Sequence, residues 1–154
     1  MMLEAGFTQL TQLLLTPILW LLAAALVYAL WMSGAVLVEA WQRRSPAFRS
    51  LPDAPELAFD EIELVVLRRL EPLRLLSRVT PMLGLIATMI PLGPALHGVA
   101  SGNGSAALAV FSDAFAGVVL ALTAAAIGLV LYSLRRRWLL GELLAIRKRR
   151  EGLA

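Results

Sequence analysis

Three polar side chains within long apolar stretches are the residues of this chain that could do chemistry. Thr88 and Thr123 lie deep in two of these stretches, and Asp113 is the only acidic or basic residue of the last one. A threonine hydroxyl can donate and accept a hydrogen bond, so it can hydrogen-bond a titrating group in both of its protonation states. Asp113 can itself titrate, and an ionisable group within a membrane segment is costly and usually functional. Taken singly, each threonine can also bond its own helix backbone, which is a purely structural role.

The residue types present exclude several other chemistries. The chain has no cysteine, which removes disulfides and thiolate metal ligands, and His97 is its only histidine. No nucleophile–base pair is evident, so we do not expect an enzyme, a bound metal or a cofactor. His97 falls near the end of its apolar stretch, and we interpret it as an interfacial residue.

The elements that must position these side chains are three apolar stretches, residues 13–38, 79–99 and about 106–134. Hydrophobic residues make up 59% of the chain and charged residues 16%, whereas soluble domains average roughly 45–50% and about 25%. A helix of about 20 apolar residues crosses the hydrocarbon core of a bilayer, and each stretch is long enough. The predicted fold class is therefore an all-α integral membrane protein with three transmembrane helices.

The chain divides into four predicted segments. They are the N-terminus with helix one (1–41), a polar helical segment (42–78), a hairpin of helices two and three (79–134) and a basic tail (135–154). The sequence Ser101-Gly-Asn-Gly-Ser105 is a turn signal that makes the last two helices antiparallel. Pro81, Pro91 and Pro94 lie in helix two, where neighbouring groups in a membrane bundle can satisfy the freed backbone.

The polar segment is predicted to hold a helix from about Pro55 to Arg74. Asp53 is the predicted N-cap, and Glu56 three residues later completes a capping box. The apolar residues of this helix do not form a clean stripe. A solvated linker helix and a helix that contacts another subunit therefore remain as alternatives.

Basic residues lie on one side of the predicted membrane only. Of the 14 lysines and arginines, seven lie between Arg43 and Arg78 and seven from Arg135 onward. Cytoplasmic segments carry the excess of Lys and Arg, so the middle segment and the C-terminus are predicted to be cytoplasmic and the N-terminus and the turn outside. The basic ends can rest against anionic lipid head groups, which explains the net charge of +3 without nucleic acid.

Small residues form one seam on each of the last two predicted helices. An α-helix turns by about 100° per residue, so residues three, four or seven positions apart lie on the same face. The seam of helix two comprises Pro81, Gly84, Thr88, Pro91 and Ala95, and that of helix three comprises Ala114, Gly117, Ala121, Ala124 and Gly128. Small residues let membrane helices approach closely. Helix–helix contact is therefore the plainest interpretation of both seams.

Two motifs in these helices resemble those of the MotA/TolQ/ExbB proton-channel family. The first is Thr80-Pro-Met-Leu-Gly-Leu-Ile-Ala-Thr-Met89, where the family has a proline, then Gly-Leu, a small residue and a threonine. Those positions are held here by Pro81, Gly84, Leu85, Ala87 and Thr88. The second is Ala125-Ala-Ile-Gly-Leu129, which resembles the family's third-helix Thr-Ala-Ile-Gly-Leu. The resemblance covers about residues 80–132, and the predicted topology is similar over the whole length.

This sequence departs from the family pattern in its third helix above all. Ala125 stands where the family has a threonine, and Thr123 lies two residues earlier on a different face. Leu120 stands at a position that is acidic in some members, and Ala87 replaces a frequent glycine. These departures concern the details of the pore more than the fold.

The resemblance implies a homo-oligomeric ring, usually a pentamer, around the single transmembrane helices of a smaller partner of the ExbD/TolR/MotB type. The partner would carry a membrane aspartate, and proton or sodium passage would drive mechanical work or transport across the envelope. The pore-lining residues implied in this chain are Gly84, Thr88, Ala121, Thr123 and Ala125. Asp113 would lie at the outer mouth of the pore, and the Thr88 hydroxyl would face the partner's carboxyl group.

Two other classes of membrane protein are alternatives. A non-conducting scaffold or assembly protein would use the small-residue seams for oligomerisation alone. A small self-contained transporter is disfavoured, because no acidic or basic residue lies near the middle of any apolar stretch. A neighbouring gene for a single-span protein with a membrane aspartate would favour the channel over the scaffold.

Overall fold

The computed structural model describes residues 2–44, 50–51, 58–102 and 104–152 of the chain. These residues form three long α-helices, α1 (Met2–Gln42), α2 (Phe59–Ala100) and α3 (Gly104–Arg150). All three are long and apolar enough to cross a membrane, which confirms the all-α class with three candidate transmembrane helices. α2 and α3 have 42 and 47 residues. At about 1.5 Å per residue they are about 60–70 Å long and extend well beyond a hydrocarbon core of about 30 Å.

The turn between α2 and α3 lies where the sequence predicts it. The amides of Ser101 and Gly102 donate to the carbonyls of His97 and Val99 at 3.0 and 3.1 Å, which closes the end of α2. Gly102 has a φ of 85°, a conformation that glycine adopts without steric penalty. α2 and α3 therefore form an antiparallel hairpin, whose two ends we call the turn end and the basic end.

The helix predicted to begin near Pro55 begins later in the structure. α2 starts at Phe59, after Ala58, whose backbone is extended (φ −60°, ψ 146°) and whose side chain makes no capping hydrogen bond. Asp53, Pro55 and Glu56 lie outside the described residues. The polar helix also does not end at Arg74, because α2 continues without a break through the second apolar stretch to Ala100.

The basic end of the hairpin has a hydrophobic core of its own. Ile62, Val66 and Leu70 of α2 are buried, and so is Leu51 of the segment before it. They pack against Leu139, Leu143 and Ile146 of α3. The tail of the chain therefore covers part of the apolar face of the polar segment, while Leu64 and Leu67 are exposed, and contact of this helix with another subunit stays a prediction.

α1 lies along one side of the hairpin in three successive layers of contact. The layers are Ile18 and Leu22 with Ala87 and Ala121, then Ala29 with Leu76 and Ala124, then Val36 with Leu73 and Leu131. The opposite side of α1 is exposed and carries large apolar side chains such as Trp20 and Trp31, each 74% exposed. Such a surface suits contact with lipid rather than water.

The small-residue seams are mostly used inside the chain. All five seam residues of α3 are buried, and so are Gly84, Pro91 and Ala95 of α2. Pro81 and Thr88 differ, because both are only half-buried. The α3 seam therefore serves helix–helix contact, whereas part of the α2 seam remains accessible.

Candidate functional site

Thr88 lines an apolar groove between α2 and α3. The groove has a volume of about 400 Å³, and its walls come from both helices, Leu85 and Leu92 on one side and Phe115 and Leu122 on the other. No described residue of α1 lines it, since α1 packs on the other side of the hairpin. Among the described residues of its lining, Thr88 alone carries a hydroxyl or a charge. The groove thus presents one hydrogen-bonding side chain in an otherwise apolar surface.

The Thr88 hydroxyl donates a hydrogen bond to the backbone carbonyl of Leu85, at an Oγ1–O distance of 2.7 Å. This bond uses the hydroxyl proton and leaves the oxygen lone pairs open to a donor. A protonated carboxyl group in the groove could therefore donate to Thr88 without disturbing it. An ionised carboxylate could accept from Thr88 after the hydroxyl turns away from Leu85.

Gly84 and Ala121, two predicted pore residues, lie together in the contact between α2 and α3. Both are buried, and a Cβ atom placed on Gly84 would lie 2.5 Å from the Cβ atom of Ala121. Neither residue lines the groove of Thr88. Their direct effect is to set the distance between the two helices.

Thr123 and Ala125 are not brought together with Thr88. Thr123 is exposed, and its hydroxyl donates to the Val119 carbonyl at 2.7 Å. Ala125 is buried, with 7% of its surface exposed. Neither residue lines the groove. Thr123 therefore bonds its own helix backbone as Thr88 does, although to the carbonyl four rather than three residues earlier, and it lies on another face of the hairpin.

Asp113, predicted at the outer mouth of a pore, belongs to α3 one residue before Ala114. Ala114 lines the groove near its turn end. The side chain of Asp113 lies outside the described part of the structure. In the sequence, Asp113 is thus the direct neighbour of a residue that lines the groove.

A second groove follows the same side of the hairpin toward the basic end. It has a volume of about 770 Å³ and is lined by both apolar and charged residues, among them Arg74, Arg78, Tyr132 and Arg136. Sequence reasoning counted these arginines for orientation but did not place them in one site. Arg74 and Arg78 are four residues apart and therefore lie on one helix face. This spacing is the feature of the sequence that could have predicted their place in one site.

A cluster of ion pairs connects α1 to α3 near the basic end. Arg43 pairs with Glu142 and, at 2.8 Å, with Glu39, while Arg135 lies 3.3 Å from Glu39. The Arg43 guanidinium also lies 5.0 Å from the ring centroid of Trp138, a cation–π distance. The four charged side chains are only 12–20% exposed. Sequence reasoning missed this cluster, whose members are up to about a hundred residues apart.

Glu142 also holds the start of the polar segment. Its carboxylate accepts hydrogen bonds from the backbone amides of Ser50 and Leu51 at 3.1 and 3.0 Å. Arg69 of α2 donates to the Ser50 carbonyl at 2.8 Å. The cluster therefore joins all three helices through residues 50–51.

Within the described ranges, no group of three or more His, Asp or Glu side chains could hold a metal ion. Comparison with protein-family models, curated proteins and solved structures finds no match to this chain. Functional inference therefore depends on the residues and on their geometry.

Proposed function

We propose that this chain is the ring-forming subunit of an ion-driven membrane machine of the MotA/TolQ/ExbB type. In this proposal several copies, five in the usual arrangement, surround the single membrane helices of an ExbD/TolR/MotB-like partner. The ring lies in a bacterial-type inner membrane with the N-terminus outside. Proton or sodium flow is coupled to mechanical work or transport across the envelope. The observation that carries the proposal is the single hydroxyl of Thr88 in an apolar groove that α1 leaves uncovered.

The groove suits a carboxyl group that alternates between two protonation states. In its neutral form the partner's aspartate would donate to Oγ1 of Thr88, while the hydroxyl of Thr88 keeps its own hydrogen bond to the Leu85 carbonyl. In its charged form the aspartate would accept from Thr88, and a hydrogen bond to a charged group is stronger in an apolar environment. One hydroxyl thus serves both states without a change in the helix backbone.

The titrating group must come from outside this chain. None of the three apolar stretches has an acidic or basic residue near its middle, so a relay made by this chain alone lacks a mid-membrane carrier. A partner helix with one aspartate supplies the missing group. This requirement separates the proposal from a self-contained transporter.

The other predicted pore residues take supporting roles in this proposal. Gly84 and Ala121 bring α2 and α3 close together, and this contact sets the width of the groove. Thr123 and Ala125 do not line the groove, so we assign the pore hydroxyl to Thr88 alone.

A non-conducting scaffold is the second candidate, and one observation favours it. The hydroxyl groups of Thr88 and Thr123 both donate hydrogen bonds to backbone carbonyls of their own helices. In addition, Ala125 stands where the family has its third-helix threonine. Such threonines can be purely structural. A scaffold would need only the packing surfaces of the hairpin and no hydroxyl in the groove.

The test is to co-express the chain with the products of neighbouring genes, purify the assembly in detergent and determine its mass. A ring of about five copies that encloses a single-span partner is the expected result. The assembly is then placed in liposomes with a proton gradient, and ion flux is measured. A monomer or dimer without such a partner, or a ring that passes no proton or sodium, would favour the scaffold.

A further inference from the structure

The groove at the basic end brings three arginines from two helices into one site. Arg74 and Arg78 come from α2, Arg136 comes from α3, and Tyr132 lies on the same wall. Leu67, Leu70 and Leu140 line the floor and the walls, so the arginines stand at an apolar surface. A groove of about 770 Å³ is large enough for the polar part of a small amphiphile.

These three arginines make no ion pair with the described residues, in contrast to their neighbours. Arg135, adjacent to Arg136, lies 3.3 Å from Glu39. Glu63 and Glu71 also line the groove, yet neither is within ion-pair distance of Arg74, Arg78 or Arg136. Glu71 precedes Arg78 by seven residues, or about 10 Å along the helix, away from the apolar stretch. The described lining therefore carries three arginines against two glutamates, a net charge of +1, and Glu71 lies only three residues from Arg74, so the excess positive charge lies toward Arg78 and Arg136.

The arginines stand at the boundary of the apolar stretches. Arg78 directly precedes residues 79–99, and Arg136 lies two positions after Leu134, the last residue of the third apolar stretch. On the apolar side of this boundary Val79, Met82 and Leu129 are exposed. When the helices cross a bilayer, the guanidinium groups lie at the depth of the phosphates of one leaflet.

We infer that this groove binds the head group of an anionic phospholipid. Arginine presents a planar fork of donors that matches phosphate oxygens, and basic pockets between membrane helices bind anionic head groups. Arg74, Arg78 and Arg136 hold the phosphodiester, and the acyl chains lie against the exposed side chains of Val79, Met82 and Leu129. Glu63 and Glu71 disfavour a second negative charge deeper in the groove, so a singly charged phosphodiester fits best.

The proposal does not depend on ion conduction. It requires only that the helices cross a membrane and that the groove faces lipid or a lipid-filled space. A ring without a pore would bind the lipid equally well. A failed flux experiment therefore leaves the lipid site open to its own test.

The test measures which lipid stays with the protein. The full chain is equilibrated in mixed micelles with equal amounts of phosphatidylglycerol and phosphatidylcholine, purified, and its retained lipid is determined by native mass spectrometry. The unmodified protein is expected to retain the anionic lipid in at least about tenfold preference, since the arginines make charge-assisted hydrogen bonds to its phosphate. The triple variant Arg74→Gln, Arg78→Gln, Arg136→Gln is expected to lose this preference.

A matched comparison separates the groove from general surface charge. Arg136→Gln removes a groove arginine, whereas Arg137→Gln removes the adjacent arginine, which does not line the groove. Arg136→Gln should reduce retention of phosphatidylglycerol several-fold, and Arg137→Gln should leave it unchanged. Equal losses in both variants would overturn the proposal. This pair also decides the question if the triple variant does not fold.

A competition experiment distinguishes a lipid from a free anion. Inorganic phosphate or glycerol phosphate, added at millimolar concentration, is expected to leave the bound phosphatidylglycerol in place. These anions lack the acyl chains that hold a lipid at the site, so they should not compete with it. Displacement of the lipid by inorganic phosphate alone would show a site for soluble anions and overturn the lipid assignment.

Discussion

Gly84 of α2 lies directly against Ala121 of α3, at a separation that leaves no room for a side chain on the glycine. A Cβ atom at position 84 would lie 2.5 Å from the Ala121 Cβ atom and 3.8 Å from the Cα atom of Val118. The first distance is far below van der Waals contact, and neither neighbour is the flexible end of a long side chain. The hairpin can therefore accept a methyl group here only if α2 and α3 move apart.

Gly84→Ala is accordingly expected to destabilise the protein. Overpacking of this kind costs about 1–3 kcal/mol, which exceeds the helix-propensity gain of roughly 0.5–1 kcal/mol from replacing glycine. The measurement is the thermal unfolding midpoint in detergent. Gly34→Ala in α1 is the control, because a Cβ atom there meets nothing within 4 Å. Ala121→Gly should restore stability when combined with Gly84→Ala, and absence of that rescue would refute the direct contact.

Gly128→Ala is expected to have a smaller effect in the same assay. Its Cβ atom would lie 3.0 Å from Cδ2 of Leu76, the mobile end of a side chain, and 3.5 Å from the Ser77 amide nitrogen. Rotation of Leu76 can relieve the first contact, so the loss should stay below about 1 kcal/mol. A larger loss than that of Gly84→Ala would mean that α2 and α3 are closest at Leu76 rather than at Gly84.

Under the proposed ion-driven function, Thr88→Val should leave folding and ring assembly intact and lower ion flux at least about tenfold. Valine has nearly the shape of threonine but offers no hydrogen bond to a carboxyl group in the groove. Loss of a bond to a charged group costs about 1.5–3 kcal/mol, which corresponds to a loss of flux of about tenfold or more. Flux is measured in liposomes that contain the purified assembly with its partner.

Thr123→Val provides the matched control for Thr88→Val. Thr123 has the same 2.7 Å bond to its own helix but does not line the groove. Under the same proposal, Thr123→Val should conduct ions as well as the unmodified protein. If Thr88→Val conducts normally, or if both variants lose flux equally, the groove hydroxyl has no specific role.

Glu142→Gln is expected to loosen the start of the polar segment from the helices. Glutamine keeps one acceptor oxygen but loses the charge that pairs with Arg43 and strengthens the bonds to Ser50 and Leu51. A partly buried network of this kind stabilises by about 1–3 kcal/mol. Limited trypsin digestion between α1 and α2 should become several-fold faster.

Glu151→Gln is the control for Glu142→Gln. It breaks the pair between Arg147 and Glu151, whose side chains are 59% and 46% exposed. Exposed ion pairs contribute about 0–1 kcal/mol, so this change should leave the digestion rate between α1 and α2 unaffected. Equal acceleration in both variants would contradict a local role for Glu142.

Some of the candidate site could be predicted because periodicity shows which residues share a helix face. The five small residues of the third-helix seam were predicted together and are all buried. The turn was also predictable, because Gly102 allows the positive φ that the chain needs there. Both Thr88 and Thr123 are isolated hydroxyls in apolar helices, and the motif resemblance set Thr88 apart but not the groove that it lines.

The sequence by itself determined the three helices, because uninterrupted apolar stretches of about 20 or more residues need helical backbone in a membrane. Only the tertiary structure decided which helix faces are covered. It placed Thr88 in a groove and Thr123 outside it, and it brought Glu142 to Ser50 across 92 positions of the chain. The physical reason is that the helical period determines which residues share a face, but it does not determine which other helix packs against that face. That selection depends on the fit of all three helices at once.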